Sequence, residues 1–208
     1  DDGTTGDCTC LGWRRGMCGS WATSCVSSYD ASVDYFPDKV APTASELWTI
    51  EYFISYKVIN MTVSGSVQST VAYQCGTPKP NVSYATQYVS VPVDTVAVAS
   101  TTDIPFVELI GERESLVAYT SSFSYVTSPC LTGMYDVGLS FSAYDASSWS
   151  RDDAMLETLG VDVTFAGTWD ADAYNAFVIS PASESTNLAV AEYVKVFGAM
   201  YNKEAAAN

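Results

Sequence analysis

A chain of 208 residues, 48% hydrophobic and 13% aromatic, can bury a core, so its bulk is not a disordered acidic tail. Its 24 acidic residues against nine basic ones give a net charge of -15, which repels phosphate backbones and anionic lipid heads and argues against nucleic-acid or electrostatic membrane partners. No apolar run approaches the ~18 residues that would span a bilayer, and the absence of histidine removes Ser-His-Asp and Cys-His relays and imidazole metal ligands, so no enzyme is expected.

Residues 1–30 are rich in Gly, Cys, Ser and Thr, carry Trp13 and Trp21, and hold no sustained periodicity. Cys8, Cys10, Cys18 and Cys25 crowd this stretch, whereas Cys75 and Cys130 stand apart in the body. An even cysteine count in a Lys-poor, Ser/Thr/Tyr-rich chain points to disulfides. Zinc competes in principle for the four terminal thiols, but the paired C-x2-C knuckles of structural sites are missing, so no metal is expected. The segment reads as a cross-linked arm, either a stapled cap over the following residues or a segment for docking and polymerisation. Cys75 and Cys130 are expected to pair with each other.

From Glu46 to residue 92 the chain is β-rich. Trp48, Ile50, Tyr52, Ile54 and Tyr56 alternate on one side, residues 58–63 continue, Ser64-Gly65-Ser66 makes a turn, and residues 71–75 return as a hairpin. Pro78 and Pro80 cannot donate to a ladder and end the second strand, after which a short strand is predicted near 88–91. Two sequons, at Asn60 and Asn81, fall where strand ends or turns are expected, within reach of an oligosaccharyltransferase. With the cysteines and a first residue that is Asp, they predict a secretory glycoprotein, extracellular or at the cell surface, whose signal peptide has been removed. N-linked glycans are the only attached groups expected; no cofactor is.

Residues 93–180 change rhythm. A buried strand over 93–99 leads through Ser100-Thr101-Thr102-Asp103, which supplies helix caps, into a helix with Pro105 in its first turn and Gly111 as its stop. Strands follow at 116–119, 161–166 and 176–179, with a helix at 152–159 closed by Gly160. Alternating strands and helices predict an α/β fold with parallel pairing through right-handed crossovers. Residues 187–207 read as one amphipathic helix, striped by Leu188, Val190, Ala191, Val194, Phe197, Gly198 and Tyr201.

Several segments carry a resemblance: Asp34-Tyr35-Phe36-Pro37-Asp38-Lys39, Tyr56-Lys57-Val58, Tyr73-Gln74-Cys75-Gly76-Thr77-Pro78, Ser100-Thr101-Thr102 followed by Pro105-Phe106-Val107-Glu108-Leu109-Ile110-Gly111, and Glu192-Tyr193-Val194-Lys195-Val196-Phe197. Together, and in this order, they resemble the iron-siderophore and cobalamin class of ABC-transporter substrate-binding proteins, in the extended cyanobacterial and algal form. The resemblance implies that residues 31–208 form one α/β lobe of a two-lobed clamp plus its connecting helix, with ligand held near the carboxyl ends of the strands.

On that reading the site residues are Ser100, Thr101 and Thr102, Tyr125, Trp169 and Asp170, all following predicted strands. Each also has a plain structural role. A Ser/Thr run before a helix caps it, and Trp169 can either stack on a flat ligand or pack its loop against the lobe. Two functions therefore stand nearly level. One is a non-enzymatic binding lobe for an iron complex, a cobalamin-like cofactor or another small molecule. The other is a glycosylated structural subunit of a filament, sheath or surface layer, polymerising with copies of itself through the N-terminal arm.

Overall fold

The computed structural model describes residues 25–208, arranged around two sheets. The first contains β1 (Trp48–Tyr52), β2 (Tyr56–Val63), β3 (Ser66–Gln74) and β4 (Gln87–Val91), in that spatial order. β1, β2 and β3 run antiparallel, and β4 joins β3 in parallel. Ser64 (φ 50°) and Gly65 (φ 78°) both adopt left-handed backbone, as a two-residue hairpin turn requires, and the expected hairpin follows. Period-two geometry puts Ile59, Met61 and Val63 on the buried face with Trp48 opposite Met61. Ile54 departs from the predicted face. The strand turns back at Phe53, whose N–H donates to Tyr56 O (2.8 Å), and this leaves Ile54 exposed in the connection.

The long crossover from β3 to β4 contains Pro78 and Pro80, as their missing donors require. At its start Cys75 is bonded to Cys25, so the expected Cys75–Cys130 bridge is not formed. The pairing has a local reason. Val26 N–H donates to Cys75 O (3.0 Å), which brings the segment entering at Cys25 alongside the end of β3. Gly76 (φ 84°) allows the approach, since a Cβ there would lie 2.0 Å from Val26 O. The bond spans 50 residues, a closure worth about 4 kcal/mol in the chain-entropy model. Cys8, Cys10 and Cys18, and with them most of the predicted arm, lie outside the described residues.

The second sheet is parallel throughout. In chain order come β5 (Val96–Val98), α1 (Ile104–Leu109), β6 (Leu116–Tyr119), α2 (Pro129–Asp136), β7 (Phe141–Ser142), the hairpin β8 (Tyr144–Asp145) and β9 (Ser150–Arg151), α3 (Asp153–Thr158), β10 (Val163–Ala166) and β11 (Ala176–Val178). The spatial order is β11-β10-β5-β6-β7. β5 and β10 are buried along their whole length, as parallel strands covered on both faces must be. Val96, Val98, Val163 and Phe165 face the main core, where Phe165 meets Phe197 at 4.2 Å. Ala97 and Ala118 face the opposite way, onto Leu156 and Val161. The mixed α/β class with a parallel sheet is therefore as predicted, and Gly111 (φ 78°) and Gly160 (φ 67°) end their helices as read.

The single helix predicted over 187–207 is instead three: α4 (Asn187–Ala191), α5 (Tyr193–Met200) and α6 (Glu204–Ala207). The first break falls at Glu192, whose buried carboxylate accepts the backbone N–H groups of Thr43, Ala44 and Ser45. The second follows α5. Asn202 takes φ 54°, Lys203 N–H donates to Gly198 O (2.7 Å), and α6 folds back until a Cβ on Gly198 would lie 2.5 Å from that of Ala207. Leu188, part of the predicted stripe, is exposed.

Candidate functional site

The chain leaves β5 toward β6 and β7 on one side, then returns to lay β10 and β11 on the other. Connections departing from the carboxyl ends of β5 and β10 therefore diverge and leave a crevice between them, the usual ligand position in an open α/β sheet. The loops bounding it are 99–103 and 167–170, which hold five of the six predicted ligand residues.

Loop 99–103 closes on itself. Ser100 Oγ and Thr102 Oγ1 hydrogen-bond at 2.7 Å, and Thr102 N–H donates to Ser100 Oγ (3.3 Å). The expected cap on α1 is absent, for the N-cap residue is Asp103 and makes no side-chain capping bond. Asp103 is 2% exposed. Burial pushes its carboxyl up to about 7, against the opposing pull of a hydrogen bond from Thr102. Near neutral pH this carboxyl is therefore about half protonated.

Tyr119, the last residue of β6, gathers the neighbouring loops. Burial raises its phenol, a hydrogen bond with Ser121 lowers it, and the charges of Tyr125, Asp170 and Asp103 raise it further. β10, β5 and β6 are adjacent and parallel, so the loops that follow them share the carboxyl edge of the sheet. Tyr125 and Trp169 project outward there. Trp169 is 95% exposed, so it does not pack its loop against the lobe.

Asp170 is held in place rather than left open. Arg151 binds Asp153 through Nε (2.7 Å) and Nη2 (3.0 Å), Asp170 through Nη1 (3.0 Å) and Asp172 through Nη2 (3.1 Å). Its guanidinium clamps the loop that follows β10 to the β9–α3 junction. The same contacts hold the Asp153 carboxyl below its ordinary value, with hydrogen bonding to Arg151 as the leading cause. Asp145, which caps the serines of the hairpin tip, is pulled down to about 2 by hydrogen bonds from Ser147 and Ser148.

Beside the crevice, at the carboxyl ends of β6 and β7, lies an open groove of about 460 Å³. Ser122, Phe123 and Ser124 form one bank, Thr132, Tyr135 and Asp136 of α2 another, and Ser142 and Tyr144 the floor. Phe123 and Tyr135 stack at 4.1 Å with their planes 13° apart. Sequence reasoning named Tyr125, which follows Ser124 on this loop, but missed α2, whose side-chain cap by Ser128 precedes Pro129 and was the available signal.

The glycosylation candidates separate. Asn81 is exposed in the β3–β4 crossover. Asn60 lies inside β2, not at a strand end, with its amide donating to Thr49 Oγ1 (3.3 Å) and accepting from Ser69 Oγ (2.7 Å).

Among the described residues no cluster of three or more Cys, Asp or Glu is placed to hold a metal ion, and no helix is long and apolar enough to cross a membrane. The Cys25–Cys75 bond fits an oxidising compartment. Compared with protein-family models, curated proteins and solved structures, the chain matches none.

Proposed function

We propose that this chain is a non-enzymatic binding lobe of the substrate-binding-protein kind, presenting the carboxyl edge of its parallel sheet to a small ligand. The observation that carries the reading is the divergence of loops 99–103 and 167–170 at the β5/β10 switch point, with Trp169 and Tyr125 exposed beside it. The resemblance in sequence order from Asp34 onward supports the same reading. Titration calorimetry with a ferric siderophore and with cobalamin tests it. Saturable heat that is lost in Trp169→Ala, with thermal stability unchanged, supports this cargo; no heat with either ligand removes this cargo class and leaves the lobe to other small molecules.

A second reading, a self-assembling extracellular subunit, draws on the same exposure. Trp149 and Trp169 are 80% and 95% exposed, and side chains of this size are costly to leave in water unless something covers them. Sedimentation of the full chain separates the two: discrete small species favour the binding lobe, and large particles favour assembly.

A further inference from the structure

We infer that the groove beside the switch point takes a neutral, polyhydroxylated ligand, a glycan segment, and not an anionic chelate; the inference rests on the binding-lobe reading above and names its ligand class. Charge comes first. Arg14 and Arg15 lie outside the described residues. Of the remaining cations, Lys39, Lys57, Lys195 and Lys203 are paired with carboxylates on elements away from this edge, Arg113 is paired with Glu108, which also accepts from Ser128 at the start of α2, and Lys79 lies over the Tyr88 ring in the β3–β4 region. Arg151 alone reaches the carboxyl edge, and its nitrogens are occupied by three aspartates. An anion entering the groove would meet Asp136 on its wall with no cation among the described residues to offset it.

The lining then selects among uncharged and cationic ligands. An organic cation is held best where aromatic faces surround it. Here Phe123 and Tyr135 stack face on face, which covers the Phe123 ring and leaves Tyr135, 41% exposed, as a single flat aromatic platform and not a cage. A platform of this kind suits the C–H face of a pyranose ring, which is flat and weakly polar. Around it stand the hydroxyls of Ser122, Ser124, Thr132 and Ser142 and the Asp136 carboxylate. Ser142 Oγ donates to Ser121 O (2.9 Å) and Thr132 Oγ1 to Ser128 O (2.9 Å), so both oxygens keep lone pairs for ligand hydroxyls. A sugar has the matching structure, an apolar face edged by donors and acceptors, and the groove volume lies within the range of small-ligand sites.

The test uses the full chain and saturation-transfer NMR with four neutral hexasaccharides (cello-, laminari-, manno- and maltohexaose). Oligogalacturonate serves as the anionic probe, tetraethylammonium as the cationic one and ferric citrate as the chelate. At least one neutral hexasaccharide is expected to saturate, with a dissociation constant that changes less than about twofold between about 0.02 and 0.5 M salt. Tyr135→Ala should weaken it by about tenfold or more, and Tyr135→Phe, which keeps the stack, should retain most of the affinity. Asp136→Asn should weaken the sugar without creating affinity for oligogalacturonate. No saturation by any neutral hexasaccharide up to about 10 mM overturns the inference. If ferric citrate or the cation binds where sugars do not, the glycan assignment fails while the binding lobe stands; if no probe of any charge binds, both fall.

Discussion

At the scale of single residues, Asp103 carries the clearest consequence. Its carboxyl is raised from 3.8 to about 7 because it is buried at the foot of the β5–α1 loop. The folded state therefore holds a proton that the unfolded chain releases, and the stability this provides is present at about pH 4 and lost as the pH rises through 7. Carboxylates held low, among them Asp145, Asp153 and Glu192, have the opposite sign, and their contribution fades only in acid. Chemical denaturation should show stability falling by roughly 2 to 3 kcal/mol between about pH 5 and pH 8, and Asp103→Asn should flatten that slope. An unchanged slope in the variant would place the titrating group elsewhere. The sequence marked Asp103 as part of a cap; burial, which decides its chemistry, is set by α1 and the sheet closing over it and leaves no local signature.

At the scale of elements, the C-terminal helices show what periodicity reads and what it misses. Of the predicted apolar stripe, Phe197, Gly198 and Tyr201 are buried and Val194 packs against the core, but Ala191 is exposed, and α5 also buries Val196 and Met200, which the stripe left out. The breaks were not legible, since a carboxylate bound by Thr43, Ala44 and Ser45 is a contact across 149 residues of sequence. Gly198 was read as one more small residue of the stripe, yet its missing Cβ is what lets Ala207 dock. Gly198→Ala should therefore destabilise the protein by about 1 to 3 kcal/mol, the usual cost of overpacking, although alanine is the better helix former. Hydrogen exchange should localise the loss to residues 203–207; a stabilised variant would show that α6 is not seated on α5. The strands β5, β6, β10 and β11 were recovered because fully buried parallel strands are near-continuous apolar runs. The two-residue β7 and the β8–β9 hairpin were missed for the same reason in reverse: segments so short carry no period. The candidate site was half legible, its strand-end loops from chain order and its groove only once α2 is in place.

At the scale of the whole molecule, one buried ion pair joins the last helix to the first sheet. Lys57, with no exposed surface, donates to Glu204 Oε1 at 2.5 Å and to Asn202 Oδ1 at 2.9 Å, with its ammonium 4.3 Å from the Phe36 ring centroid. Burial pulls the Lys57 ammonium downward, and the Glu204 charge opposes that pull. Removing one partner strands the other in the core, so Glu204→Leu alone should cost about 3 to 5 kcal/mol. Lys57→Met combined with Glu204→Leu should cost less than either single change, because no lone charge remains. Guanidinium melts of the three variants check this, and simple additivity would contradict it.

That same closure bears on how the chain is made. Glu192 and Glu204 complete contacts with Thr43 and Lys57 across 149 and 147 residues of sequence. Until the turn that carries Glu204 has left the ribosome, the underside of the first sheet lacks its keystone and an uncompensated ammonium waits at its centre. Translation must therefore run ahead of folding, and a nascent chain halted before residue 204 should remain a client of holding chaperones.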